Sequence, residues 1–331
     1  MLSLYDEMKS LSLKVDDYLS TYFRKEPQFL YDASYYLIRH GGKRQRPFIL
    51  INSGMMFGAS LESLLPAAAA IEILHNFTLV HDDIMDNDEE RRGVPTVHVK
   101  FGVPMAILAG DLLFAKSFEA ALNLLKNSYT HKQVVEAVKA LVTASIEVCE
   151  GQALDLKIAE SKDFPSKEEY YNLIELKTSS LFKACTTIGS ILGGADEPSI
   201  EMLKEFGRLY GLCFQLVDDV LAVTGDPSIT GKPVGNDIRE GKKTLVIKYV
   251  LDSVSERDRS KLLSIIGNRR ASNEEINEAL SIIASSGAPD RVRLEAKLIS
   301  EKAISILKNF PKSRARDMLI NLTMEASSRS R

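Results

Sequence analysis

Asp82 and Asp86 close an apolar run, His75-Asn76-Phe77-Thr78-Leu79-Val80-His81-Asp82-Asp83-Ile84-Met85-Asp86. On a helix their spacing puts both carboxylates on one face. Like charges so placed oppose each other by roughly a few tenths of a kcal/mol, and a cation between them reverses the sign. Oxygen-only ligands suit a hard ion such as magnesium, which takes one or two carboxylates and fills its shell with water and substrate phosphates. Arg91 and Arg92 follow, and guanidinium forks match phosphate oxygens. Carboxylates for a metal beside arginines for phosphate describe a diphosphate site. The bland alternative for the same residues is an exposed, charged helix end.

A second acidic pair, Asp218-Asp219, ends another apolar run, Phe214-Gln215-Leu216-Val217, with Gln215 one turn before Asp218. A loop from 225 to 241 follows, holding Lys232, with Lys242 just beyond it. One such pair could be surface charge. Two, each followed by basic residues, argue for a shared metal and phosphate cluster, with the helices facing each other across a cavity. A third basic group, Lys43-Arg44-Gln45-Arg46, lies between Gly41-Gly42 and Pro47. Clustered cations just before a helix N-terminus attract anions.

These residues need helices to position them. Apolar spacing predicts a helix over 3–22 and another over 28–40, closed by Gly41-Gly42. Pro47 reads as the first residue of the next helix, to about Phe57, and Pro66 as the opening of a central helix running to about Arg91. On that helix His75, Thr78 and Asp86 fall within about 40° of Asp82, and His81 about 100° away, as a cap or supporting group. Further helices are expected over 103–126 and 131–159. Asp155 in the latter, flanked by Leu154 and Leu156, wants a partner. Ser166 and Glu169 form a capping box for a helix that carries Lys177-Thr178. Pro198 starts the helix of the second acidic pair, and four more helices follow Thr244. The basic tail, Ser327-Ser328-Arg329-Ser330-Arg331, reads as mobile. With no credible strand, the fold class is all-α. A single large helical bundle around a deep central cavity, one domain over 1–331, fits best.

Composition narrows the function. Net charge is -3 across 331 residues, which gives no sign of nucleic-acid binding. Three cysteines without metal-ligand spacing fit a reducing cytoplasm, where they read as buried apolar groups. No run of 18 uninterrupted apolar residues occurs, so no stable membrane insertion is expected.

Taken in order, Gly42-Lys43-Arg44-Gln45-Arg46-Pro47, Asp82-Asp83-Ile84-Met85-Asp86 with Arg91-Arg92-Gly93, Gly151-Gln152-Ala153-Leu154-Asp155-Leu156, Lys177-Thr178, Phe214-Gln215-Leu216-Val217-Asp218-Asp219 and Gly231-Lys232-Pro233 resemble a known family along essentially the whole chain. It is that of the trans-isoprenyl diphosphate synthases, or polyprenyl synthetases, and the likeness is greatest to archaeal geranylgeranyl diphosphate synthases. The resemblance implies the isoprenoid synthase fold, a homodimer and Mg2+, three ions with substrate bound. Asp82 and Asp86 would ligate two ions on the allylic diphosphate and Asp218 the third, supported by Asp219. Arg91, Lys177 and Lys232 would bind the allylic diphosphate. Lys43, Arg46, His75 and Arg92 would bind isopentenyl diphosphate. Thr178, Gln215 and Asp155 would line the reacting region, with Lys242 on the lid side.

The implied reaction joins isopentenyl diphosphate to dimethylallyl, geranyl or farnesyl diphosphate, giving geranylgeranyl diphosphate and diphosphate. Phe77 and Thr78, before the first acidic motif, would bound the chain-length pocket and favour twenty carbons. An ideal wheel puts Phe77 about 140° from Asp82, so its role as floor rests on the resemblance. Ala222 stands where the family's second motif usually has a third aspartate. A farnesyl or longer-chain synthase, a class I terpene cyclase and a non-catalytic subunit of a heteromeric prenyl synthase remain as alternatives. The cyclase would not need the Lys43, Arg46 and Arg92 site, and the subunit would be expected to lose first-motif aspartates.

Overall fold

The central helix starts at a serine rather than at the proline that the sequence suggested. The computed structural model describes residues 3–161, 163–224 and 235–329. In it α1 (Leu4–Ser20), α2 (Gln28–Arg39) and α3 (Gln45–Met55) precede α4 (Leu61–Asp86). Ser60 caps α4 by accepting from Ser63 N at 3.2 Å, so the helix begins before Pro66. Asn87, left-handed at φ 56°, then caps its C-terminus. The helix therefore stops short of Arg91. The two arginines lie instead in a hairpin of β1 (Glu90–Arg91) and β2 (Val94–Pro95). Arg92 and Gly93, with φ of 56° and 72°, make its turn, the geometry that two-residue hairpin loops prefer.

Next come α5 (Val97–Phe101), α6 (Val103–Leu122), α7 (His131–Glu160), α8 (Lys167–Ile174), a π-helical turn (Glu175–Ser179), α9 (Ser180–Gly193) and α10 (Glu197–Thr224). The expected capping box at Ser166 and Glu169 opens α8. After Thr244 five helices follow rather than four: Leu245–Ser253, Glu256–Ile265, Asn273–Ser285, Ala288–Leu307 and Arg314–Ser328. α3 also starts earlier than expected, at Gln45, which places Pro47 third in its first turn. A proline is tolerated there because the first-turn amides have no helical acceptor.

The chain divides into two compact units. One comprises residues 1–146, 181–207 and 306–322, and the other 147–180, 208–305 and 323–331. In the first, α4 packs on α3 and α6. Ala67, Ala68, Ala69, Ala70, Ile71, Ile73 and Leu74 are buried, and the small residues let neighbouring backbones approach. By length and composition α4 could cross a membrane, yet most of its apolar length is buried inside the protein, as befits a core helix. Cys185 and Cys213 are buried as expected, whereas Cys149 is exposed.

The second unit is centred on Leu216, Val220, Leu245, Val250, Leu262, Ile283 and Val292. Burying each of the larger aliphatic side chains is worth about 1.5–3 kcal/mol. At its edge Glu295 accepts from Lys167 Nζ at 2.8 Å, Tyr171 OH at 2.9 Å and Tyr249 OH at 2.7 Å. Burial works against its ionisation, but these donors outweigh that and hold the carboxyl below its ordinary 4.5. A depressed pKa gives stability that is present above the ordinary value and is lost as pH falls through the lowered one. Glu295→Gln therefore lowers unfolding stability by about 1–2 kcal/mol at pH 7, and the gap narrows below pH 4.5. Urea melts of both proteins across pH 3 to 7 check this; a gap that does not change with pH rules it out.

Candidate active site

In the first unit Asp82 and Asp86 occupy the last two turns of α4, one turn apart on the same side. Asp83, between them, turns into the core and is fully buried. Its Oδ1 takes a short hydrogen bond from Arg91 Nε, and burial pushes its carboxyl up to about 6 against the opposing pull of Arg91. Arg91 Nη2 also reaches Asp88 Oδ2 at 3.3 Å and Asp82 Oδ2 at 3.8 Å. Burial alone would ease its deprotonation, but Asp83, Asp82 and Asp88 more than offset it. Thr96 Oγ1 donates to the Asp88 carbonyl at 2.8 Å and helps to seat the hairpin. Arg91 is thus a fixed cation next to the first-motif carboxylates.

The basic loop lies on the same unit. Arg46 Nη1 donates to His75 Nε2 at 3.2 Å, and its guanidinium stacks over Phe182 at 4.4 Å. An arginine can only donate, so Nε2 accepts and the proton of neutral His75 sits on Nδ1. Burial, with Arg46, Arg92 and Arg91 nearby, pushes the His75 pKa well below 6.5. His75 Nδ1 is buried and meets no acceptor among the described residues. Lys43 is exposed next to these groups in sequence, and Arg92 Nη1 donates to the Leu37 carbonyl at 2.7 Å. His81, in contrast, lies away at α6, 3.3 Å from the Ile107 carbonyl and 3.9 Å from Asp111. Thr78 Oγ1 bonds the His75 carbonyl at 2.7 Å. Phe77 packs against His81 edge-on and against Phe114 at a tilt, with ring centres 4.8 and 5.1 Å away.

The second unit gathers the rest. Asp155 finds the partner its apolar neighbours called for: Lys177 Nζ lies 2.5 Å from Oδ2. Lys177 and Thr178 sit in the π-helical turn, a feature that recurs at functional sites. Thr178 Oγ1 donates to Gln215 Oε1 at 2.8 Å, and Gln215 Nε2 donates to Asp219 Oδ1 at 2.8 Å. Tyr170 OH donates to the other Asp219 oxygen. Burial pushes Asp219 up to about 7 against those two hydrogen bonds, so it anchors Gln215 rather than facing solvent. Asp218 is half-buried, and Arg329 Nη2 donates to its Oδ1 at 3.0 Å while stacking over Phe214 at 4.5 Å. The tail expected to be mobile is thus docked as far as Arg329. Lys242 pairs with Glu240 at 3.3 Å, and Lys232 lies outside the described residues.

Tyr170, Arg329 and Gly151 are site residues that sequence reasoning missed. Gly151 opens the motif that runs to Leu156, but its reason is spatial. A Cβ there would come under 3.0 Å from Lys177 N and Cα and from the Leu176 carbonyl carbon, all backbone atoms that cannot rotate away. Gly151→Ala must push α7 off the π-helical turn. Overpacking of this kind costs about 1–3 kcal/mol, and turnover is expected to fall about five- to tenfold as Lys177 moves. Steady-state rates with a thermal melt check this; wild-type values for both rule out the close packing.

The donor set fits a hard divalent ion. Among the described residues no three acidic, histidine or cysteine side chains converge to hold a metal by themselves. Paired carboxylates with phosphate-binding cations beside them match magnesium's habit of borrowing ligands from substrate.

The polyprenyl synthetase family model matches residues 27–283. The short chain isoprenyl diphosphate synthase of Methanocaldococcus jannaschii is 47% identical over 285 residues, covering 86% of this chain and 84% of the relative. The solved geranylgeranyl pyrophosphate synthetase of Pyrococcus horikoshii superposes with a TM-score of 0.91 at 39% identity, covering 98% of each chain. The geranylgeranyl pyrophosphate synthase of Corynebacterium glutamicum, solved with isoprenyl diphosphate and magnesium, gives 0.89 at 27% identity over 99% of this chain and 100% of its own. This chain belongs to the polyprenyl synthetase family and has its all-α isoprenoid synthase fold.

Proposed function

We propose that this protein is a trans-prenyltransferase that makes geranylgeranyl diphosphate from isopentenyl diphosphate and the five-, ten- or fifteen-carbon allylic diphosphates. The observation that carries the reading is the pair of cationic arrangements on the first unit. Arg91 is bound among the first-motif acids, whereas Arg46 is bound to a neutral His75. Two differently built anion sites suit two diphosphates, one bound through a metal and one bound by donors alone.

Magnesium, with three ions as the proposed number, neutralises charge on the departing diphosphate when bound. Asp82 and Asp86 would hold two of these ions and Asp218 the third. Arg91, Lys177 and Lys242, with Lys232 as the resemblance implies, would add positive charge where the allylic carbon–oxygen bond breaks. Lys43, Arg46, Arg92 and the Nδ1 proton of His75 bind and orient the diphosphate of isopentenyl diphosphate, so that its double bond meets the allylic cation. Asp155 steers Lys177. Gln215 and Thr178, locked together and backed by Asp219 and Tyr170, face the reacting carbons. The departing diphosphate takes the proton that the new carbon–carbon bond releases.

We read the chain as one catalytic domain over 1–331 that works as a homodimer in the cytoplasm. Support for the dimer is the exposed side of α6, where Val103, Ile107, Leu108, Phe114 and Leu122 form an apolar stripe. A contiguous stripe of this kind marks an interaction surface.

Product analysis tests the function. Purified protein is incubated with magnesium, isopentenyl diphosphate and each allylic primer in turn, and the dephosphorylated products are sized. A dominant twenty-carbon chain from all three primers is expected. Fifteen carbons, or more than twenty, would keep the family and overturn the product assignment. Cyclised hydrocarbon would point to a terpene cyclase, and no condensation to a non-catalytic subunit. In the same assay Phe77→Ser is expected to give longer products, since Phe77 is the bulkier of the two proposed pocket residues. An unchanged distribution rules out Phe77 as the stop.

A further inference from the structure

Glu72 is a carboxylate in the most apolar part of α4, and it is only 2% exposed. Its Oε1 accepts from Arg44 Nη1 at 2.6 Å and from Asn76 Nδ2 at 3.1 Å. Arg44 is itself buried and holds a left-handed backbone, with φ at 45°. Its guanidinium also donates to Asp16 Oδ1 on α1 at 2.7 Å and to the Ile38 carbonyl at the end of α2 at 2.6 Å. On the other side Asn76 Oδ1 meets Arg92 Nη1 at 3.4 Å. That same nitrogen donates to the carbonyls of Leu37 and Gly41. The result is a buried chain, Asp16–Arg44–Glu72–Asn76–Arg92. It ties α1, the end of α2 and the hairpin turn to one point on α4.

The two arginines converge on Gly42. A Cβ there would lie 3.1 Å from Arg44 Nη1 and 3.2 Å from Arg92 Cζ. Two guanidiniums this close repel in a medium of low dielectric constant. Glu72 supplies negative charge beside both. Burial would ease deprotonation of Arg44, and Glu72 and Asp16 outweigh it. Lys43 and the Gln45-Arg46 start of α3 flank Arg44 in sequence, so an unseated Arg44 releases the basic loop. Arg92 sits at the far end of the same chain.

We propose that Glu72 is a positioning residue for the non-allylic diphosphate site: by seating Arg44, and Arg92 through Asn76, it presents Lys43, Arg46 and Arg92 as a preformed anion pocket. This rests on the reading of those residues as the isopentenyl diphosphate site. Arg91 is held through Asp83 and Asp88 instead, so a defect at Glu72 acts on one substrate and spares the other.

Steady-state kinetics of the full-length enzyme with magnesium test this. Glu72→Gln keeps the volume and removes the charge. It is expected to raise KM for isopentenyl diphosphate at least tenfold, while KM for the allylic substrate and kcat at saturation each move less than threefold. Asp16→Asn, at the more exposed end of the chain, is expected to raise the isopentenyl KM about threefold with the same selectivity, and it carries the test if Glu72→Gln does not fold. Arg92→Gln reports on the site itself. If Arg92→Gln raises the isopentenyl KM while the Glu72 and Asp16 variants do not, or if those two raise both KM values equally, the positioning role is overturned and the site stands. If Arg92→Gln leaves the isopentenyl KM unchanged, the site reading and the positioning role fall together.

Discussion

Asp82→Asn is expected to cut turnover about 10³-fold, a loss of about 4 kcal/mol in transition-state stabilisation. The substitution keeps the side chain's size and removes its charge. Arg91 is seated chiefly by Asp83 and Asp88, and its Nη2 lies farther from Asp82 Oδ2, at 3.8 Å. The local fold should therefore survive. Removing one of two like charges a turn apart should even stabilise the end of α4 by roughly a few tenths of a kcal/mol. The sign of that change separates a metal ligand from a structural acid. Asp83→Asn would instead disturb a fully buried carboxyl bonded to Arg91 Nε, and would lower stability and activity together. Steady-state turnover with isopentenyl and farnesyl diphosphates, with thermal melts of both proteins, makes the comparison. Turnover of Asp82→Asn within tenfold of the parent would remove Asp82 from the metal site.

The sequence was legible where one residue carries its own reason. Asp155 between two leucines announced a partner, and Lys177 is there. The capping box at Ser166 opened a helix as expected. Helix α4 was found, but its bounds were misplaced at both ends. A proline is a visible start signal, whereas Ser60 became one only by taking up the cap. At the other end Asn87 adopts a left-handed cap, which a charged run after Asp86 obscured. The short hairpin was missed because two-residue strands show no alternation. Glu72 could have been noticed as a lone acid among Ala67 to Leu74, but its partners Asp16, Arg44 and Asn76 come from three separate stretches of chain. Tyr170 and Gly151 matter through residues that local pattern does not join to them. Arg329 looked like part of a loose tail, because nothing in the tail's composition reveals that Asp218 and Phe214 await it.

Asp218→Ala is expected to lower turnover by about 10²-fold, and by at least tenfold, for two reasons that magnesium titration can separate. If Asp218 helps to hold the third ion, its loss weakens binding of that ion, and half-saturation moves to higher magnesium. This effect should be large here because Ala222, one turn on, supplies no carboxylate. If Asp218 serves instead to anchor Arg329, turnover can fall as the end of the last helix loosens, but half-saturation stays where it is. Asp219 does not stand in for its neighbour: it is buried and bonded to Tyr170 and Gln215, so reaching an ion would require unseating Gln215. Near-normal turnover with unchanged magnesium dependence removes Asp218 from the ion site. A turnover loss with unchanged dependence makes it an anchor for the C-terminal helix, with Arg329 as its counterpart.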